Sequence, residues 1–476
     1  MVAVQTPSAT VARGSTGADL AGLAALTVAL RLPAFVASTH LTVDDGVFGA
    51  SAVAMRAGGQ PYRDVFSSQG PLFLPLVWVA DLIGFRTANA PRVLSLAAAL
   101  LLVLSTYVAG RVATDRGGAL LAGGLVSVAA SSLWVTGPLA ADGAALAFAT
   151  ATMAMVLHWR DDVSVRRAIW IGLGIGATIS VKALLGAVIL PAALVLVAGR
   201  RWGPIVAGAA TAVGFHLVLW LPWGPRDVWE QSYSYHLEVA SDRTPGANLA
   251  KVLSTMGDRD AIVLVAAVLA LGALLLGRRA APPPADQRGL TSPDALLLAW
   301  VGATLFVLLV EHPMWRPHVS QLVPGLALLA ARHRPPWKAL AVAALVVVPY
   351  HLSHASGVLW PDRYTSSARE AVAIVHDLPD GALAISDDPG IVWRSGHRTP
   401  PELVDASMLR IETGDITSAR LAEVAADDDV CAVVVRSGDR WGSFADLPDR
   451  LAALGYRIAA QDGEVHRVYV KQDCRA

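Results

Sequence analysis

Long runs of apolar residues, separated by short polar stretches, occupy the first three quarters of the chain. A helix that crosses a bilayer needs about 20 mostly apolar residues. Apolar runs of about that length or somewhat shorter lie at 18–38, 92–110, 118–136, 140–158, 167–182, 184–199, 203–222, 259–277, 294–310, 319–331 and 338–355. The pattern predicts a polytopic α-helical membrane protein with about 11 transmembrane helices.

One further apolar segment, Pro71–Phe85, is short and contains Asp81. If this segment does not span, the basic clusters after the apolar runs share one side with the N-terminus, as the positive-inside rule requires. The clusters are Arg111/Arg116, Arg160/Arg166/Arg167, Arg200/Arg201, Arg278/Arg279 and Arg332/Arg334/Lys338. We therefore interpret Pro71–Phe85 as a helix in the outer interface. Segments 39–91, 137–142, 223–258 and 311–318, together with the whole tail from about 360, then face outward.

The character of the chain changes after residue 360. Helix-like and strand-like stretches alternate there, which favours an α/β domain over 360–476. They are helices at 370–377, 418–426 and 445–454, strands at 382–386 and 431–435, and a hairpin at 456–471. Cys431 and Cys474 lie in this region; they pair if it faces an oxidising compartment, and two free thiols are the alternative.

Composition narrows the class of protein. The chain is 54% hydrophobic and only 16% charged, whereas soluble domains carry roughly 25% charged residues. Its net charge of zero argues against nucleic acid as a partner. The polar tail 1–17 lacks a convincing cleavage site before the first run, so we expect an uncleaved first helix behind a cytoplasmic tail.

An acid pair, Asp44 and Asp45, follows the first apolar run. Adjacent carboxylates repel, and burial raises their proton affinity, so the pair points to a functional site. A helix cap followed by a first-turn acid is the structural alternative. Apolar residues at helical spacing follow and predict an amphipathic interfacial helix that ends at Gly58-Gly59.

The polar stretch Gln60–Pro71 comes next and contains Pro61-Tyr62-Arg63-Asp64. Arg63 either pairs with Asp64 on the surface or meets an anionic phosphate. The acid pair, the helix ending in Gly-Gly and this loop together resemble the lipid-dependent glycosyltransferases of the GT-C fold. Protein O-mannosyltransferases and lipid A aminoarabinose transferases belong to that group. The resemblance implies a GT-C-like catalytic domain over 18–355.

The resemblance also implies roles for individual residues. Asp44 matches the family's catalytic base, with Asp45 as capping residue and as the neighbour that raises its pKa. Asp142 matches a second carboxylate after the third crossing; an N-cap is the alternative. Lys182 matches a lysine that ends the fifth crossing, although a lone lysine there can simply snorkel. The chain departs from the family in its Asp-Asp pair, in Gln69-Gly70-Pro71 and in lacking an arginine before the second acid.

Two other outward segments carry candidate binding residues. Segment 311–318 holds an acid, two histidines and an arginine, whose spacing fits no standard metal site. Similar proteins present basic groups there, which favours Arg316 and His318, with Arg63 and Lys182, as donor-phosphate ligands. Tyr62, Gln69 and His236 are candidate substrate contacts, with an interfacial aromatic belt as the alternative for segment 223–258. No cofactor is predicted, and a divalent metal stays open.

These expectations combine into one predicted reaction. A sugar passes, with inversion, from a polyprenyl-phosphate donor to a hydroxyl of a lipid, glycan or protein acceptor at the outer face of the plasma membrane. Alternatives are a lipid-linked glycan polymerase or ligase, a non-catalytic assembly protein, and a multi-pass transporter or flippase. A transporter predicts charges near mid-membrane and repeated hydropathy, whereas the charges here gather at the outer helix ends.

Overall fold

The computed structural model describes residues 12–237, 244–277, 289–333, 337–361 and 363–474. Most of the predicted tail 1–17, part of the loop 223–258, the proline-rich stretch 281–286 and the basic residues Arg278, Arg279 and Arg334 lie outside these ranges.

Helices occupy most of the chain up to residue 359. They are α1 (Ala12–Val36), α2 (Val43–Arg56), α3 (Phe73–Ile83), α4 (Val93–Ala113), α5 (Arg116–Val128), α6 (Ala130–Thr136), α7 (Ala141–Trp159), α8 (Val165–Val181), α9 (Ile189–Ala198), α10 (Trp202–Val218), α11 (Pro225–Trp229), α12 (Tyr235–Leu237), α13 (Pro245–Arg259), α14 (Ala261–Gly277), α15 (Pro293–Val310), α16 (Leu322–Arg332) and α17 (Trp337–Leu359). Their apolar core includes Leu102 of α4 and Leu146 of α7, which are almost fully buried.

Six helices among the described residues are long and apolar enough to cross a membrane, and α5 with α6 forms a further, bent candidate. Shorter apolar helices at Phe73–Ile83, Ala183–Ala198 and Ala261–Ala273 accompany them. The protein is therefore a multi-pass membrane protein, and the count of 11 crossings stays a prediction. The predicted interfacial segment Pro71–Phe85 forms α3, which at 11 residues is too short to span a bilayer.

The α5–α6 pair bends by 61° around Ala129. Backbone groups freed by a break need partners inside the protein, because the bilayer core offers no water. Arg31 donates to the Ser127 carbonyl at 2.8 Å. Asp260 accepts from the backbone N–H of Ser131 at 3.0 Å. Buried ionisable side chains thus hold the bend that leads α6 toward the start of α7.

The C-terminal unit is a four-stranded sheet with helices, in the strand order β1-β2-β4-β3. Its elements are α18 (Ser366–His376), β1 (Leu383–Ser386), α19 (Pro389–Ser395), α20 (Met408–Glu412), α21 (Ser418–Ala425), β2 (Val430–Val435), α22 (Leu447–Ala453), β3 (Tyr456–Asp462) and β4 (His466–Lys471). Strands β1 and β2 are parallel, and β4 runs antiparallel to both β2 and β3. The predicted α/β alternation is confirmed, whereas the short helices α19 and α20 were not predicted.

A disulfide joins Cys431 in β2 to Cys474 after β4. Of the two alternatives for these cysteines, the structure has the bridge. Replacing Cys474 with serine is expected to lower the unfolding free energy of the C-terminal unit by about 2–4 kcal/mol, because the bridge closes a loop of 43 residues in the unfolded chain. Limited proteolysis with and without reductant tests this: reductant should sensitise the wild type and leave Cys474→Ser unchanged. Equal resistance of the two proteins without reductant would contradict it.

The C-terminal unit packs directly on the helix that carries the acid pair. A Cβ atom on Gly46 would lie 2.6 Å from the backbone nitrogen of Gly390 in α19. Only glycine therefore allows α2 and α19 to approach this closely. His40, just before α2, adds a contact of 2.9 Å between its Nε2 and the Asp388 carboxylate. The sheet unit thus helps to fix the start of α2.

Candidate active site

Helix α2 begins at the acid pair, but neither acid caps it. Thr42 is the N-cap, and its hydroxyl accepts a hydrogen bond from the backbone N–H of Asp45 at 3.1 Å. Both Asp44 and Asp45 lie in the first turn, where negative charge suits the helix dipole. The predicted capping role of Asp45 is therefore wrong.

Asp45 is fully buried in an ion pair with Arg92, which is also fully buried. Its carboxylate accepts further hydrogen bonds from the backbone N–H groups of Leu41 and Leu139, each at 2.9 Å. Burial acts to raise the pKa of Asp45, but the charge and hydrogen bonds of Arg92 outweigh it and hold the pKa below its ordinary value. Asp45 is thus paired with Arg92, and the principal causes of the raised pKa of Asp44 are burial and other carboxylates rather than Asp45.

Asp44 has the opposite environment. Its side chain is open to solvent, and it makes no ion pair or hydrogen bond with any residue that the structure describes. Protein atoms around it reduce its hydration and thereby raise the pKa of Asp44 to about 6, and we refer to these surroundings of Asp44 as the recess. Negative charge on Asp142 and Asp405 adds to that rise, whereas Lys182 and His318 oppose it. Asp44 is thus an exposed carboxylate whose pKa is raised toward neutral pH.

A chain of polar contacts stands beside this recess. The Lys182 ammonium donates to both carboxylate oxygens of Asp142, at 3.0 and 2.9 Å. It also lies 2.9 Å from Nε2 of His318. The other ring nitrogen of His318 pairs with the carboxylate of Glu311. Residues from the start of α7, the end of α8 and segment 311–318 therefore meet in one cluster.

Local backbone structure sets the position of Lys182. Helix α8 ends at Val181, and Lys182 is extended. The loop before α3 lies against this end: Gly70 N–H donates to the Val181 carbonyl at 3.0 Å, and Leu72 N–H donates to the Ser180 carbonyl at 2.8 Å. A Cβ on Gly70 would overlap the Ser180 carbonyl. The Gln69-Gly70-Pro71 motif thus holds the lysine in place.

Two of the predicted substrate contacts, Tyr62 and Gln69, lie in the same loop, and His236 contacts that loop from α12. Tyr62 is 2% exposed, and its hydroxyl donates to the Gln69 carbonyl at 2.5 Å. The Gln69 side chain donates to the hydroxyl of Ser68 at 3.1 Å. His236 lies 3.0 Å from the Ser68 carbonyl, and burial lowers its pKa. Tyr62 therefore shapes the loop from within, while Gln69 and His236 are only partly buried.

The two predicted arginine ligands lie apart from the cluster. Arg63 is exposed and forms no ion pair within the described parts of the chain. Arg316 is half-exposed and pairs with Asp258 at 3.8 Å. Of the four predicted phosphate ligands, the structure brings together only Lys182 and His318. Among the described residues, no group of three or more His, Cys, Asp or Glu side chains is arranged to hold a metal ion.

Sequence reasoning missed two residues of the site, Arg92 and Asp405. An arginine between Pro91 and a long apolar run is typical of a charge at the membrane interface, so the sequence did not indicate that Arg92 is buried. Asp405 belongs to the C-terminal unit and approaches the recess through a hydrogen bond of 3.4 Å from the Ser68 hydroxyl. Its position depends on how the two parts of the chain pack, which a local pattern does not encode.

No protein-family model matches the chain, and no curated protein matches it. Several solved structures match the chain. ArnT from Cupriavidus metallidurans in the apo state is 14% identical, with 98% of this chain and 99% of that chain covered and a TM-score of 0.64. ArnT bound to undecaprenyl phosphate gives 14% identity, coverages of 96% and 98%, and a TM-score of 0.61.

A second kind of protein has the same architecture. The archaeal oligosaccharyltransferase AglB from Archaeoglobus fulgidus, in complex with an inhibitory peptide and a dolichol-phosphate, is 12% identical. The match covers 90% of this chain and 70% of that chain, with a TM-score of 0.54. Identities this low concern the fold alone. The fold predicted from the resemblance is confirmed: this chain has the GT-C membrane fold.

Proposed function

We propose that this protein is a membrane glycosyltransferase that moves a sugar from a polyprenyl-phosphate donor to an acceptor hydroxyl, with Asp44 as the base. One observation carries the proposal: Asp44 is an unpaired, accessible carboxylate in a recess beside a lysine–histidine–carboxylate cluster. The bound molecules of the structural neighbours, undecaprenyl phosphate in ArnT and a dolichol-phosphate with a peptide in AglB, support the classes of donor and acceptor.

The chemistry needs a base that is ionised and within reach of the acceptor. Asp44 removes the acceptor's hydroxyl proton as that oxygen forms a bond to the anomeric carbon. The bond from the anomeric carbon to the phosphate oxygen breaks at the same time, and the polyprenyl phosphate leaves with both electrons. Attack opposite the leaving group inverts the anomeric configuration. A pKa of about 6 leaves Asp44 mostly ionised at neutral pH.

Negative charge grows on the departing phosphate and needs a positive partner. Lys182 supplies it, and Asp142 orients the ammonium through its two contacts. His318 lies against the same ammonium, so a phosphate oxygen that replaces His318 there keeps the lysine fully bonded. Arg63 and Arg316 are exposed cations that attract the donor headgroup from outside the cluster.

The proposed location is the outer face of the plasma membrane. The basic clusters between apolar runs favour a cytoplasmic N-terminus. The Cys431–Cys474 bridge favours an oxidising environment for the C-terminal unit. We assign residues 18–355 to the membrane catalytic domain and 360–476 to the extracytoplasmic domain.

A direct transfer assay tests the proposed function. Purified full-length protein in lipid nanodiscs is incubated with labelled polyprenyl-phosphate mannose, arabinose or galactose and a panel of hydroxyl acceptors. Transfer from at least one donor is expected, with an inverted anomeric centre by NMR. The proposal fails if no donor is consumed, or if the product retains the donor's configuration.

A further inference from the structure

The C-terminal unit contributes one wall of the recess. Its segment 400–410 lies along the loop before α3, where Phe66 N–H donates to the Pro401 carbonyl at 3.4 Å. The guanidinium of Arg410 stacks on the Phe66 ring, 3.9 Å from the ring centroid. The Ser68 hydroxyl donates to the Asp405 carboxylate. These contacts dock the segment onto the same loop that holds Lys182.

Asp405 is held rigidly in this wall. Arg410 is 5% exposed and donates to the backbone carbonyls of Asp405 and Glu402, each at 2.7 Å. The Asp405 carboxylate itself accepts from the backbone N–H of Ser407 at 2.9 Å. Arg410 directs its ion pair to Asp415 instead, at 2.6 Å. Arg410 therefore fixes the backbone around Asp405, while its own ion pair is with a different carboxylate.

The Asp405 carboxylate is thus 5% exposed, and no residue that the structure describes forms an ion pair with it. The hydrogen bonds from Ser68 and Ser407 satisfy the carboxylate oxygens but leave its charge without a neighbouring cation in an ion pair. Asp405 acts on the recess: its charge raises the pKa values of Asp44 and of His236. Its contact with Ser68 places it beside the loop that contacts the end of α8, next to Lys182.

The charges around the recess are distributed unevenly. The ammonium of Lys182 lies against Asp142, on the side where the proposed phosphate binds. Asp44 and Asp405 supply negative charge that no described residue neutralises in an ion pair. Like charges brought together during association select against the wrong partner. An anionic acceptor meets both carboxylates, whereas a neutral hydroxyl compound meets no such repulsion and can hydrogen-bond to them.

We propose that Asp405 determines acceptor specificity, and that the enzyme takes neutral polyhydroxyl acceptors and excludes anionic ones. This inference rests on the proposed glycosyltransferase function and deepens it. Asp405 belongs to the C-terminal unit, so that unit is part of the acceptor site. Asp405 does not exchange a proton with the substrate; it shapes the electrostatic potential through which the acceptor reaches Asp44.

The test compares acceptors that differ only in charge. Full-length wild type, Asp405→Asn and the control Asp428→Asn, whose carboxylate is exposed on the same unit, receive neutral hexyl hexosides and the matching hexyl uronides. Wild type and control should prefer the neutral acceptors by at least about tenfold in kcat/KM. Asp405→Asn should reduce that ratio severalfold. An unchanged ratio in Asp405→Asn overturns this inference alone, whereas no transfer to any acceptor overturns the proposed function and this inference together.

A second measurement is independent of catalysis. The pKa of His236 is followed by NMR in protein with labelled histidine, assigned with a His236→Gln variant. Because the Asp405 charge raises the pKa of His236, Asp405→Asn should lower it, and Asp428→Asn should leave it unchanged. An unchanged value in Asp405→Asn would mean that the carboxylate does not face the recess, and the inference is then wrong whatever the transfer assay gives.

Discussion

Asparagine in place of Asp44 is expected to slow sugar transfer by about 10²–10⁴-fold, the usual contribution of a general base. The amide matches the carboxylate in shape but accepts no proton. Asp44 makes no ion pair or hydrogen bond with the described residues, so its replacement should leave folding intact. Single-turnover transfer, with the unfolding midpoint measured alongside, separates loss of the base from loss of structure.

The pH dependence provides the control for that result. The pKa of Asp44 is raised to about 6, and a base works only when ionised, so the wild-type rate should fall as the pH drops through about 6. Asp161→Asn, at a carboxylate that is 80% exposed, should keep both rate and profile. A rate for Asp44→Asn within a few-fold of wild type, or a wild-type profile flat from pH 5 to 8, would exclude Asp44 as the base.

Methionine in place of Arg92 is expected to have the largest effect on stability. The substitution leaves the Asp45 carboxylate fully buried without its cation, a loss that typically costs about 3–5 kcal/mol. It also removes hydrogen bonds to the carbonyls of Ala34, Ala37 and Thr39. Urea titration in detergent micelles, followed by tryptophan fluorescence, should show a lower unfolding midpoint.

A double variant tests the cause of that destabilisation. Asp45→Asn combined with Arg92→Met removes both charges, so it should be more stable than Arg92→Met alone. The recovery should be incomplete, because the carbonyls that Arg92 bonds stay unpaired. If the double variant is less stable than Arg92→Met, the buried charge of Asp45 is not the source of the loss.

Much of the fold was predictable because it depends on local patterns. The apolar runs predicted the membrane helices, and the β-branched run at Cys431–Val435 predicted strand β2. The resemblance within 40–75 correctly indicated a GT-C fold. The same reasoning selected Asp44, Asp142 and Lys182, which the structure brings into one region because each lies at an outer helix end in the predicted topology.

The remaining features depend on packing between distant parts of the chain. Arg92 and Asp45 are 47 residues apart, and no spacing rule links them. Asp405 reaches its partner Ser68 across a separation of 337 residues. Asp44 and Asp45 have the same chemistry and adjacent positions, yet Asp44 is exposed and Asp45 is fully buried. The buried partners of Asp45, which are the Arg92 guanidinium and the backbone N–H groups of Leu41 and Leu139, account for the difference.

The ion pair between Asp45 and Arg92 has a consequence for how this protein can diversify. Asp45 adjoins Asp44 in the chain and bonds the backbone of Leu139, three residues before Asp142. The ion pair with Arg92 and the hydrogen bond to Leu139 thus fix the distance between Asp44 and Asp142. Related sequences should therefore change Asp45 and Arg92 only together.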